Sequence, residues 1–146
     1  MGLWYRIQHS ESNLGRDYMQ CFTTEYDNLN AKKTKFNLFD SYVDSRDTDP
    51  TRTGRKGKAD TKDLPNGEID FYINNVSPDK PNYIVMETDY DSYAMVYGCG
   101  DGVNRVPNLW ILSRTPTMDD DLKTRLNASA WTRLPNYDWS LVRYDT

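Results

Sequence analysis

The sequence predicts an all-β fold, an eight-stranded antiparallel up-and-down β-barrel with one C-terminal α-helix packed on its outside, and three observations predict it. Eight strand-like stretches recur along the chain with turn chemistry between them. Each connection is short enough to join neighbouring antiparallel strands, which favours a meander. The stretch YIVMETDYDSYAMVYGC at 83 to 99 reads as a hairpin with apolar or aromatic side chains on both faces of both arms. A half-solvated strand alternates apolar with polar, so this hairpin needs a cover on each side. A closed barrel supplies both, a lumen within and a helix without, and closure also removes exposed sheet edges.

Taken in order, the strands lie near 3 to 9 (LWYRIQH), 18 to 27 (YMQCFTTEYD), 34 to 43 (TKFNLFDSYV) and 53 to 60 (TGRKGKAD). The remaining four lie near 67 to 73 (GEIDFYI), 83 to 89, 93 to 99 and 107 to 114 (PNLWILSR). Turn residues punctuate them: Ser/Asn/Gly at 12 to 15, Asp49-Pro50, Pro65-Asn66-Gly67, Pro78 with Pro81, and Gly98, Gly100 and Gly102. In the hairpin, Ile84, Met86 and Thr88 share one face and Tyr83, Val85 and Glu87 the other, while Tyr93, Met95 and Tyr97 oppose Ala94, Val96 and Gly98. A helix follows at TPTMDDDLKTRLNASAW. Thr117 with Asp120 resembles a capping box, the aspartates at 119 to 121 suit the positive end of a helix dipole, and Met118, Leu122 and Leu126 form an apolar stripe. The extended piece at 138 to 145 is placed to pair with the sheet edge.

The 146 residues make a single domain, 1 to 146, long enough to bury roughly 70% of the unfolded surface. Only 37% of residues are apolar, yet eleven tyrosines and four tryptophans raise the aromatic share to 13%, which describes a polar exterior around an aromatic interior. A net charge of −4 weighs against nucleic acid as a partner. No run reaches the length of a membrane span, and the opening is not that of a signal peptide, so a secreted protein would be present here in its mature form. The sequons at Asn75 and Asn127 would permit glycosylation in a secretory pathway. The basic run RTGRKGK at 52 to 58 is read as a solvated strand face.

Three short motifs, in order and at the right places in an eight-strand reading, resemble those of the lipocalins. GLWY at 2 to 5 resembles the first family motif, Thr88-Asp89-Tyr90 the second, and Arg114, ending LWILSRTPT, the third. The likeness covers essentially the whole chain and is greatest to the branch holding apolipoprotein D, bacterial lipocalins, insect bilin-binding proteins and crustacyanins. It implies that Trp4 lies across the closed end of the barrel with the Arg114 guanidinium over its ring, a contact worth on the order of 2 kcal/mol. It assigns Gly2, Trp4, Thr88, Asp89, Tyr90 and Arg114 to maintaining the barrel rather than touching ligand.

Counting by twos from Arg114 places Leu112 and Trp110 on the inward side, and the resemblance independently puts a tryptophan at the latter position in the pocket. Tyr97, Met95, Phe71, Phe36, Met86 and Phe22 complete the candidate lining, each subject to a one-residue change of register. The mouth loops carry Arg16, Arg46, Arg52, Lys80 and Arg105 among seven acids, so charge does not identify a ligand. Cys21 and Cys99 fall on the second and seventh strands, about 14 Å apart around the wall, whereas a disulfide needs Cα atoms within roughly 7 Å; they are not expected to pair. The resemblance instead implies bridges from such cysteines to terminal segments, and this chain has no cysteine near its end.

The expected function is binding and transport or storage of a small hydrophobic ligand. On resemblance, the first ligand is a pigment, a bilin such as biliverdin or a carotenoid, with fatty acid, retinoid and steroid as alternatives. No cofactor is required beyond such a chromophore. Catalysis has little material: His9 is the sole histidine, so a Ser-His-Asp triad or a His-rich metal site has almost nothing to build on. A lipocalin-type isomerase using a lumen-facing cysteine, and a filled barrel whose loops bind another protein, are the other readings.

Overall fold

The computed structural model describes residues 1–10, 18–49, 51–63, 66–73, 78, 81–99 and 107–145. Eight strands run β1 (Gly2–Ser10), β2 (Met19–Asp27), β3 (Lys35–Asp44), β4 (Arg52–Asp63), β5 (Glu68–Ile73), β6 (Tyr83–Thr88), β7 (Tyr93–Gly98) and β8 (Asn108–Ser113). Each pairs antiparallel with the next, and β1 pairs with both β2 and β8, which closes the barrel. The helix α1 (Asp120–Arg133) follows, then a short strand β9 (Val142–Tyr144) on the free upper edge of β1.

Register fixes the two faces. Trp4 pairs with Thr24, Leu112 with Ala94 and Trp110 with Val96, and all of these but Thr24 share one buried apolar cluster inside the barrel. Met95, Leu109 and Ile111, the intervening residues, form a second cluster with Leu126 and Ala130 of α1. The 83 to 99 hairpin is therefore covered on both sides, as its composition requires. Two of the β-bulges in the wall turn side chains toward the helix. One in β1, between Arg6 and Gln8, turns Ile7 and Gln8 toward the helix while Arg6 pairs with Leu112 and His9 with Trp110. The other, in β6 between Val85 and Glu87, puts Met86 and Glu87 together on the outer side.

The helix begins two residues later than the capping-box reading. Asp119 is the N-cap, its carboxylate accepting from the backbone N–H groups of Asp121 and Leu122 at 3.0 and 3.2 Å. Residues up to 118 stay non-helical, which lets Met118 reach the outer cluster, and a carboxylate serves the helix dipole better than a hydroxyl does. Leu126 and Ala130 are fully buried, and burying the leucine contributes about 2 to 3 kcal/mol. Polar contacts set the position of α1. Glu87 accepts from Arg125 at 2.6 Å and Ser129 at 2.8 Å, while Gln8 and Asn127 exchange two carboxamide bonds of 2.8 and 3.1 Å. The Asn127 sequon thus has its amide engaged with a buried glutamine; the Asn75 sequon lies outside the described residues.

Candidate functional site

The closed end of the barrel assembles the three motifs. The Arg114 guanidinium lies 3.7 Å from the centroid of the Trp4 ring and donates to the carbonyls of Leu3 at 2.8 Å and Met1 at 2.7 Å. Gly2 has φ +89°, and a Cβ there would meet Arg114 Nη1 at 3.4 Å, so a glycine suits both the backbone and the close approach. Asp89 folds the β6–β7 turn by accepting from the Ser92 hydroxyl and the N–H groups of Tyr93, Ser92 and Asp91, which hold its carboxyl far below the usual range. Thr88 donates to the Tyr93 carbonyl at 2.6 Å, and Tyr90 takes φ +70° with its ring exposed.

Above this floor the lumen has two unlike sides. On the β5 to β8 side, Phe71, Tyr83 and Trp110 stack in sequence, with centroids 5.9 and 6.0 Å apart and planes tilted 30° and 24°. Tyr26 reaches across from β2, its hydroxyl 2.6 Å from that of Tyr83, and Phe36 meets the Tyr26 ring edge to face at 5.6 Å. Burial pushes Tyr26 up to about 12 and raises Tyr83 as well, so both phenols stay neutral at physiological pH. On the β2 to β4 side the inward row is polar. Thr24 pairs with Asp40, and Asp40 Oδ2 accepts from Arg55 Nε at 3.2 Å. Burial raises the Asp40 pKa, and the Arg55 guanidinium opposes that rise only in part. Higher on β1, Arg6 makes a bidentate pair with Asp145 at 2.5 and 2.8 Å while lying 4.2 Å over the Phe22 ring. His9 Nδ1 is 3.3 Å from the same carboxylate. Burial opposes ionisation of Asp145, but its contacts with His9 and Arg6 hold its pKa below the usual value.

The expected lining divides accordingly. Trp110, Leu112, Phe71 and Phe36 share the inward face. Phe22 sits at a bulge in β2 beside the inward Tyr42, and it also borders a cleft of ≈ 630 Å³ that opens on the outer wall. Met95, Met86 and Tyr97 are corrections. Met95 is fully buried beneath α1, Met86 packs in the same outer cluster, and Tyr97 meets Tyr137 at 6.3 Å on that side. The physical reason is volume. Large side chains of β7 fill the gap under the helix, and the small Ala94, Val96 and Gly98 face inward and leave space.

The basic run at 52 to 58 is for the most part the solvated face its composition suggests, with Arg55 the exception that strand alternation turns inward. Lys56 and Lys58 are exposed, but Arg55 points inward to Asp40, and Arg52 crosses the outer wall to Ser41 at 2.9 Å and Thr23 at 2.5 Å. Of the mouth cations, Arg46 pairs with Asp44 at 2.5 Å and covers the Tyr18 ring at 3.5 Å; Arg16, Lys80 and Arg105 lie outside the described residues. Cys21 and Cys99 do not bridge each other. Among the described residues, no cluster of three or more His, Cys, Asp or Glu is arranged to hold a metal ion, and no helix is long and apolar enough to cross a membrane. Tyr26, Tyr83, Thr24, Asp40 and Arg55 were not singled out from sequence. The available signal was Asp40 alternating in phase with Phe36 and Leu38, a charge set into an apolar row.

A closed eight-stranded meander with a lined lumen, a cation over the floor tryptophan and one external helix defines the class of barrel that binds small molecules. The chain belongs to the lipocalin family: residues 1–144 match the family model for the lipocalin-like domain. Its fold is similar to that of lobster apocrustacyanin A1, with 20% identity over 99% of this chain and 76% of the other and a TM-score of 0.72. Insecticyanin from the tobacco hornworm Manduca sexta gives 18% identity, 99% and 77% coverage and a TM-score of 0.73. The amine binding protein of Rhodnius prolixus, solved as a tryptamine complex, gives 18% identity, 99% and 76% coverage and a TM-score of 0.68. No curated protein matches the chain in sequence.

Proposed function

We propose that this protein is a binding and carrier protein, not an enzyme, that holds a small, flat, unsaturated hydrophobic molecule in its lumen. The observation that carries the reading is the Phe71, Tyr83 and Trp110 stack on the inner wall, a ready-made surface for a planar ligand. A pigment, a bilin such as biliverdin or a carotenoid, fits that surface best, and it agrees with the similarity to crustacyanin and insecticyanin. Affinity comes from apolar burial at about 25 cal/mol per Å² of area removed from water, less the cost of association. Trp4, Gly2, Thr88, Asp89, Tyr90 and Arg114 close and brace the base, and Trp110, Leu112, Phe71 and Phe36 line the pocket. Secretion, as for a carrier, completes the reading.

The test is a titration of tryptophan fluorescence with biliverdin, a carotenoid, retinol and a fatty acid, beside a Trp110→Phe variant. Saturable quenching by a pigment, reduced in the variant, is expected. Silence from all four ligands would overturn the reading in favour of a filled barrel.

A further inference from the structure

We propose that the lumen ligand presents an N–H or O–H donor to a buried acceptor pair, the Asp40 carboxyl and the Thr24 hydroxyl, and that the site discriminates against ligands carrying a carboxylate at that position. The inference rests on the lumen being the ligand site and specifies the chemistry of its polar side.

Asp40 and Thr24 face each other across the β2–β3 pairing on the inward row, 7% and 4% exposed. A buried carboxylate ordinarily accepts two or more hydrogen bonds. Among the described residues Asp40 has one donor, Arg55 Nε, at 3.2 Å and through a single contact rather than the bidentate fork that Arg6 makes to Asp145. The buried Thr24 hydroxyl makes no hydrogen bond of ordinary length, although it lies close enough to Asp40 and Tyr26 to lower the pKa of each. Two polar groups of adjacent strands are thus held out of water with capacity left over, where a folded core would normally have satisfied it. Beyond Thr24, which stands beside Asp40, neighbouring groups do not supply a further donor. The Tyr26 and Tyr83 hydroxyls bond to each other at 2.6 Å, and Arg6 is committed to Asp145 and the Met19 carbonyl. Asp40 is near enough for its charge to act on both phenols, which puts it at the edge of the aromatic stack. A flat molecule lying on Phe71, Tyr83 and Trp110 would carry its edge donor toward Asp40. An edge carboxylate would instead meet a like charge in a low-dielectric space whose nearby cations, Arg55 and Arg6, are already paired with Asp40 and Asp145.

The experiment is isothermal titration of the full chain with four probes of one ring and one length: 2-(1-naphthyl)ethylamine, 2-(1-naphthyl)ethanol, 1-naphthylacetate and 1-ethylnaphthalene, with retinol as the general lumen ligand. Amine and alcohol are expected to bind about 10- to 100-fold more tightly than acetate, the range for hydrogen bonds to a charged group. Asp40→Asn should shrink the amine-to-acetate ratio by about tenfold, and Thr24→Val, which leaves the Arg55 pair intact, should weaken the alcohol. Acetate binding as tightly as the amine, or a ratio unchanged in both variants, overturns the inference. Retinol binding with no ranking among the naphthalenes overturns it while leaving the lumen reading in place. Failure of all five ligands overturns both. The ranking in the unaltered protein decides the matter even if Asp40→Asn does not fold.

Discussion

The wall under the helix and the wall away from it are built from the same strand geometry but carry different side chains. On β8 the outward Leu109 and Ile111 are fully buried and the inward Trp110 and Leu112 line the lumen, so all four central positions are apolar. On β3 and β4 the outward Lys35, Lys56 and Lys58 are exposed, and even the outward Phe39 is 38% exposed. The difference shows that the pleat sets which residues share a face, while the cover decides what that face must be made of. It also explains where stability is concentrated, since removing area from water matters only where a second layer lies.

Substitutions across the two walls test this contrast. Ile111→Ala beneath the helix is expected to cost about 3 to 4 kcal/mol in urea unfolding, whereas Phe39→Ala on the bare wall should cost under about 1 kcal/mol. Equal costs would break the comparison. Arg114→Ala, which uncovers Trp4 and frees two carbonyls, should cost about 2 kcal/mol by the same measurement. Glu87, which ties the covered wall to α1, has its pKa lowered by the hydrogen bond from Arg125, with Ser129 and Tyr93 adding to it. A depressed carboxylate contributes stability that is full above its unfolded pKa of about 4.3 and is lost as pH falls through the folded value. Unfolding midpoints measured from pH 7 down to pH 3 should therefore fall more steeply in the wild type than in Glu87→Gln, and matching slopes would remove Glu87 as the acid-sensitive tie. At the small end, Lys56→Ala and Lys58→Ala should change stability by no more than about 0.5 kcal/mol.

Strand number, order and ends were legible because their signals are local. Turn residues and period-two runs act within a few positions, and all eight strands fall within about three residues of where those signals put them. Trp110 and Leu112 were legible for the same reason, by counting from Arg114. Met95, Met86 and Tyr97 were not, because both faces of that hairpin are buried and hydrophobicity carries no sign for inside or outside. The useful cue there was size, with Ala94, Val96 and Gly98 on the side that must leave room.

By itself the sequence determined an all-β meander, its closing motifs, an apolar-striped helix and the strands that need two covers. These follow from side-chain period, turn chemistry and the need to bury apolar area, none of which depends on distant residues. Only the tertiary structure decided which face of each strand looks inward, since single-residue bulges, those at Arg6/Gln8 and Val85/Glu87 among them, shift the alternation and the helix covers one wall alone. It also decided that Tyr26 and Tyr83, fifty-seven positions apart in the chain, meet across the barrel, and that Arg55 leaves its basic run to join Asp40 and Thr24. Those encounters depend on closure, which brings together residues that no local pattern relates.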